Sequence, residues 1–323
     1  MLFIAAYIAS LLCFAVAAPT RNVRPLVIWH GLGDTYDSAG MTRVQEEVKK
    51  MHPGIFVHLI RMNEDSKEDK QAGFYGNVNE QVALAASQLA NISELSQGFD
   101  AVGFSQGGQF LRAYIERYNE PPVNNLVTFG SQHMGISDLP VCSAYDLLCQ
   151  IARRATKGGV YNEWVQENLV QAQYFRDPNQ LPLYVTSSKF LADINNEVLL
   201  PSERNGTYAD NFSTLSNLVL VKFEKDRTVV PKESSWFGSQ APSDTSLYQS
   251  TEQVPLGGPR PSRVDDNREI IGMEEQPLYQ EDWIGLRALD ERGAVTFSTC
   301  EGEHMDLTGC WEDIFAEYVG GLL

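Results

Sequence analysis

Residues 98 to 118 read Gly-Phe-Asp-Ala-Val-Gly-Phe-Ser-Gln-Gly-Gly-Gln-Phe-Leu-Arg-Ala-Tyr-Ile-Glu-Arg-Tyr, with a serine between glycines where a short apolar strand gives way to an amphipathic helix. A turn that lifts a serine hydroxyl off the end of a sheet is sharp and crowded. Gly103 and Gly107 leave out the side chains that would clash in it. The free N–H groups at the start of the following helix favour negative charge beside the serine. Ser105 is therefore the candidate nucleophile. A five-residue spacing also recurs by chance, so the surrounding pattern has to carry the reading.

That pattern is an alternation of strands and helices. Residues 25–29 form a short apolar strand that enters the loop His30-Gly-Leu-Gly-Asp34. Further strands are predicted over 54–60, 100–104, 126–129, 218–223 and 294–298, and helices over 79–89, 106–118 and 310–318. Alternation of this kind predicts an α/β fold, a mostly parallel sheet flanked by helices. It breaks over residues 139–216, where helical stretches such as 161–174 lie among polar loops, and this region reads as an insertion between two strands of the sheet. Residues 238–276 are rich in Ser, Pro, Gly and acidic residues, without periodicity, and read as a mobile surface loop.

A serine nucleophile needs a general base within hydrogen-bond reach, and the base needs a carboxylate to hold its tautomer. On an αβ-hydrolase sheet these follow in the chain order Ser, acid, His, each from a loop at the C-terminal edge of a strand. Of the five histidines only His133 and His304 follow Ser105, and only His304 sits just beyond the final strand. Asp226 lies three positions past the strand 218–223 and is the expected acid, since Val229-Val230-Pro231 can pack the turn; Glu224 is the alternative. The tetrahedral intermediate needs two N–H donors. Gln106, after the nucleophile, and Leu32, in the glycine-rich loop after the first strand, are the candidates. His30 reads as structural. These elements in this order predict the αβ-hydrolase fold.

Residues 1–18 form an apolar run with a small-x-small ending at Ala15-Val16-Ala17, the pattern of a secretory signal peptide over 1–17, followed by a single hydrolase domain over 18–323. Asn91, Asn205 and Asn211 stand in Asn-x-Ser/Thr triplets and are candidate glycosylation sites. Cys13 falls in the signal, which leaves Cys142, Cys149, Cys300 and Cys310. Four cysteines in an oxidising compartment allow three pairings, of which Cys142 with Cys149 and Cys300 with Cys310 closes the shortest loops. A net charge of −17, from 42 acidic against 25 basic residues, with no basic cluster, argues against nucleic acid as a partner. No later segment is apolar enough to span a bilayer, and the triad chemistry requires neither metal nor cofactor.

Val27-Ile-Trp-His-Gly-Leu-Gly-Asp34, Gly103 to Ala113, Phe190-Leu-Ala-Asp-Ile-Asn195, Ser235-Trp-Phe-Gly238 and Glu301-Gly-Glu-His304 closely resemble the type 1 lysosomal palmitoyl-protein thioesterase family. The resemblance runs from about residue 25 to the C-terminus. It implies a hydrolase that removes long-chain acyl groups from cysteine thioesters of S-palmitoylated proteins or peptides and from acyl-CoA. Its triad falls on Ser105, Asp226 and His304, its oxyanion donors on Leu32 and Gln106, and its lid on 139–216. Cys142 and Cys149 resemble a cysteine pair of that family, whereas Cys300 and Cys310 match none. The resemblance implies delivery to the lysosome or vacuole through the secretory pathway, or secretion. A lipase, a carboxylesterase or an acyltransferase would use the same triad.

Overall fold

The structure, a computed structural model, describes residues 23–138, 159–242 and 268–323. The expected signal segment and Cys142 and Cys149 lie outside the described residues. Six strands form one parallel sheet: β1 (Leu26–Trp29), β2 (Val57–Leu59), β3 (Phe99–Phe104), β4 (Val123–Phe129), β5 (Asn217–Phe223) and, last in the chain, β8 (Val295–Cys300). Their order across the sheet is β2-β1-β3-β4-β5-β8. The chain runs from β1 outward to β2 and then returns to β3 on the other side of β1. Loops leaving the C-terminal ends of β1 and β3 therefore diverge to opposite faces and leave a crevice between them, the usual place for a ligand on such a sheet.

The strands are short apolar runs because both faces are covered. Side chains alternate between faces, so Val27 and Trp29 join one core while Leu26 and Ile28 join the other. The first core holds helices α3 (Val78–Ala90) and α4 (Gln106–Arg117) and much of the described part of the inserted segment. The second holds α1 (Ala39–Met51) and the C-terminal helix Glu312–Tyr318. Burial of each such Val, Ile, Leu or Phe contributes about 1.5–3 kcal/mol. Met41, Val44 and Val48 are the buried stripe of α1, and Ser38 Oγ caps the helix by accepting the Met41 N–H. A further short helix, α2 (Ser66–Ala72), is capped by Asp65 in the same way.

The structure departs from the sequence expectations at two places. Helical residues within 161–174 form two short helices, Glu163–Asn168 and Val170–Gln173, instead of one. The break is at Leu169, where the chain exchanges backbone hydrogen bonds with the Phe74–Gly76 segment (Gly76 N to Asn168 O, Val170 N to Phe74 O). The stretch 238–276 is ordered at both ends: β6 (Ser239–Gln240) pairs antiparallel with β7 (Ile270–Ile271), and the Gln276 side chain donates to Ser239 Oγ and the Ile271 carbonyl. Residues 243–267 lie outside the described residues.

The inserted segment is tied to α4 by buried charge. Arg112 is fully buried and donates to the His133 carbonyl (3.1 Å) and Asn195 Oδ1 (2.8 Å). Glu197 accepts from Arg176, Tyr184 and Asn195 beside it. Glu116 lies 3.5 Å from Arg112, yet burial outweighs that attraction and pushes its pKa up to about 8. Cys300 and Cys310 form a disulfide. Asn91 and Asn205 are exposed, whereas Asn211 is half-buried with its Nδ2 donating to the Glu116 carbonyl.

Candidate active site

Ser105 stands between β3 and α4 with φ 53° and ψ −124°, a left-handed conformation that is strained for a residue with a Cβ. The packing around it enforces this. A Cβ on Gly103 would lie 2.1 Å from Gly108 Cα, and one on Gly107 would lie 2.3 Å from the Trp29 carbonyl oxygen. Gly108 has the same constraint against Ser131 and Thr128 at the end of β4, a third obligatory glycine that the five-residue spacing does not include. The Ser105 N–H is fixed on the Phe129 carbonyl at 2.7 Å.

His304 Nε2 is 2.9 Å from Ser105 Oγ, and His304 Nδ1 is 2.6 Å from Asp226 Oδ2. Residues 199 and 78 positions apart in the chain thus form one hydrogen-bonded line. Asp226 has no exposed side-chain surface, and its Oδ1 accepts the N–H groups of Thr228 (2.8 Å) and Val229 (3.0 Å). That turn aims Oδ2 at the imidazole. Glu224 is engaged elsewhere, by Lys222 at 3.3 Å and Lys232 at 3.1 Å, so of the two carboxylates it is Asp226 that meets His304. His133 is fully buried, its Nε2 3.1 Å from Thr128 Oγ1 and its ring stacked on Phe237. Burial, then the charge of Arg112, holds its pKa well below 6.5, and it takes no part in the line.

Gln106 is the first residue of α4, so its N–H has no partner within the helix and lies beside Ser105. Among the described residues no acceptor takes the Leu32 N–H. The Gln106 side chain is itself fixed, accepting from Tyr174 Oη (3.2 Å) and donating to the Gly73 carbonyl (3.3 Å).

Ser105, Leu32 and His304 open on one cavity of about 390 Å³. Its apolar wall comes from Met41 and Val44 of α1, Phe104, Val229, and Met305 and Leu307 beyond His304. Of the described part of the inserted segment only Tyr174 lines it, so the described lid residues contribute little to a groove that the resemblance assigns to them. Helix α1 is not among the helices expected from the sequence, although Met41, Val44, Val48 and Met51 recur there at helical spacing. No helix among the described residues is long and apolar enough to cross a membrane.

Known proteins place this geometry in context. A family model described as palmitoyl protein thioesterase matches residues 25–304. The chain is 39% identical to palmitoyl-protein thioesterase 1 of Caenorhabditis elegans over 307 residues, 93% of this chain and 94% of the relative. It is 34% identical to the palmitoyl-protein thioesterase-dolichyl pyrophosphate phosphatase fusion 1 of Schizosaccharomyces pombe, over 90% of this chain and 42% of that longer protein. It is 27% identical to the human lysosomal thioesterase PPT2, over 88% of this chain and 83% of the relative.

Proposed function

The chain belongs to the palmitoyl protein thioesterase family, and from that premise we propose that it cleaves long-chain fatty acyl thioesters from S-acylated cysteines and from acyl-CoA. The observation that carries the proposal is the Asp226–His304–Ser105 line opening on a largely apolar cavity of about 390 Å³ beside the serine. Ser105 Oγ attacks the thioester carbonyl while His304 Nε2 takes its proton. Asp226 accepts the Nδ1–H bond, which keeps Nε2 free as the acceptor and stabilises the imidazolium. The N–H groups of Gln106 and Leu32 take the charge that develops on the carbonyl oxygen. As the C–S bond breaks, the imidazolium returns its proton to the departing sulfur. Water then repeats the sequence on the acyl-serine and releases the fatty acid.

A thiolate is a good leaving group, so the site needs little beyond His304 on the thiol side. Relatives named lysosomal thioesterases, together with the expected signal segment, support a lysosomal or vacuolar destination. The test is hydrolysis of palmitoyl-CoA and of a palmitoyl-cysteine peptide by wild type and Ser105→Ala. Wild type should turn over both, and the variant neither, with an unchanged melting temperature. Turnover by Ser105→Ala, or none by wild type, would reject the proposal. A chain-length series against matched oxygen esters separates thioesterase from lipase.

A further inference from the structure

A buried ion pair lies directly behind the oxyanion loop, outside the Ser105–His304–Asp226 line. His30 is 3% exposed and Asp69, on α2, 0%. His30 Nε2 is 3.1 Å from Asp69 Oδ2, a charge contact off the axis of a straight hydrogen bond. His30 Nδ1 is 3.0 Å from the Gly31 carbonyl oxygen. Both ring nitrogens thus face oxygen acceptors, and a neutral imidazole has only one N–H to offer. The imidazolium donates to the Gly31 carbonyl and turns its second N–H toward Asp69. Burial alone pulls the His30 pKa down; Asp69 and the Gly31 carbonyl, with a smaller contribution from Asp34, overcome it, and the net direction is up. Asp69 is anchored independently, with Oδ1 accepting the Met62 N–H at 2.7 Å and Oδ2 the Tyr36 N–H at 3.0 Å.

The consequence for the site follows from peptide geometry. The Gly31–Leu32 peptide is planar and trans, so its C=O and N–H point in opposite directions. The Gly31 oxygen is held by His30 Nδ1 and, across the turn, by the Asp34 N–H at 3.3 Å, which turns the Leu32 N–H away from His30, and Leu32 lines the cavity shared with Ser105. Gly31 sits close against the nucleophile, since a Cβ there would lie 3.0 Å from Ser105 Cβ and 3.2 Å from the Phe104 carbonyl oxygen. A glycine also lets the adjoining peptide turn over at small cost. Such a turn would present a carbonyl oxygen to the oxyanion.

We propose that His30 and Asp69 are positioning residues for the oxyanion hole: His30 clamps the Gly31 carbonyl so that the Leu32 N–H is aimed at the tetrahedral intermediate, and Asp69, against the other ring nitrogen, holds the imidazole in that orientation. The positive charge on the carbonyl side polarises the peptide and strengthens the N–H as a donor. The proposal rests on the serine-hydrolase reading above, although not on the acyl group being a palmitoyl thioester.

The experiment compares full-length wild type, His30→Gln, His30→Ala and Asp69→Asn. It measures kcat and KM on p-nitrophenyl palmitate, inhibition by a long-chain trifluoromethyl ketone, and binding of a non-hydrolysable thioether of CoA. The ketone forms an oxyanion on Ser105, whereas the thioether has no carbonyl at the position the serine attacks. Asp69→Asn should lower kcat by roughly tenfold to a hundredfold, the scale on which oxyanion donors act, and weaken the ketone by the same factor. KM and thioether affinity should stay within about twofold. His30→Gln, whose amide N–H can still reach the Gly31 oxygen, should retain more kcat than His30→Ala. The high-pH limb of kcat in Asp69→Asn should move to lower pH as His30 loses its carboxylate. Unchanged kcat and ketone affinity would overturn the proposal, as would thioether affinity and melting temperature falling in step with kcat. If Asp69→Asn does not fold, the His30→Gln comparison decides on the same readouts. Wild type that hydrolysed the ester and spared thioesters would reject the thioesterase reading and leave the His30 comparison intact.

Discussion

Ser105 is held by backbone packed on backbone, whereas His304 is held by side chains and a disulfide. Around the serine, Gly103, Gly107 and Gly108 bring β3, α4, the Trp29–His30 carbonyls and the end of β4 into contact, leaving no space for a Cβ. Around the histidine, the chain between Cys300 and Cys310 is a loop, fixed by the S–S bond at its ends, by Asp226, and by the edge of the Phe223 ring at 5.8 Å. The first arrangement is a local property of one short segment. The second requires β5, β8 and the turn after β5 to be in register before the imidazole has anything to meet. The nucleophile turn should therefore be brittle to any added atom, and the base loop should be tunable.

The largest effect tests the side-chain arrangement. Asp226→Asn keeps the shape and removes the tautomer control, and kcat should fall about ten-thousand-fold with the melting temperature little changed. Steady-state kinetics with a thermal scan checks both. Gly107→Ala tests the backbone arrangement. The new Cβ would meet the Trp29 and His30 carbonyl oxygens at 2.3 and 2.6 Å, atoms that cannot move without the sheet. A loss on the order of 4 kcal/mol is expected in denaturant unfolding. Gly206→Ala, where no atom lies within 4 Å, serves as the control and should be neutral or slightly stabilising. A small loss at Gly107 would show that the turn is softer than its packing suggests.

Cys310→Ser removes the clamp on the His304 loop. The chain-entropy argument for a loop of this length gives about 3 kcal/mol of lost stability. Labelling of Ser105 by a fluorophosphonate should slow and persist, since Asp226 still orients the imidazole. Complete loss of labelling would mean that the loop has no order of its own.

The pH dependence of stability reports on buried carboxyls outside both loops. Burial raises Asp100 to about 6, against the pull of Arg24, from an unfolded value near 3.8. A raised folded-state value contributes stability that is complete below the unfolded pKa and is lost as pH rises through the folded one. For Asp100 that window runs from about pH 4 to about pH 6, and for Glu116, raised from 4.5 to about 8, it runs higher. The protein should be more stable at pH 5 than at pH 8, a direction suited to an acidic compartment. Asp100→Asn should flatten the lower part of the slope by on the order of 2–3 kcal/mol, measured by urea unfolding at several pH values. Stability that rose from pH 5 to pH 8 would contradict this. The smallest effect is expected at Glu224→Gln: its two lysine contacts are partly exposed, so stability should change by less than about 1 kcal/mol and kcat by less than about twofold.

Much of the site was legible because it depends on short-range rules. The glycines around Ser105 announce a tight turn. The strand-loop positions of Asp226 and His304 follow from the order of elements on a parallel sheet, and the structure brings all three side chains together. The pairing of Cys300 with Cys310 followed from loop length alone. Other features were hidden for physical reasons. The break at Leu169 comes from hydrogen bonds to residues some ninety positions away, which helical periodicity cannot register. The ends of 238–276 gain order by pairing with each other across a long gap.

By itself the sequence determined a serine on a strand-to-helix turn, the order of nucleophile, acid and base, and an α/β sheet to carry them, because each is written in spacing over a few residues. Only the tertiary structure decided which carboxylate meets His304, where the cavity beside Ser105 lies and what stands behind the His30–Gly33 loop. Glu224 and Asp226 differ by two positions in the chain but by their neighbours in space, two lysines for one and a histidine for the other. The cavity wall is α1 and the Met305–Leu307 segment because the β1–β3 crossover leaves its crevice there. His30 reads as structural in one dimension; in three, a buried carboxylate on one side and the Gly31 carbonyl on the other give it a task in orienting the site.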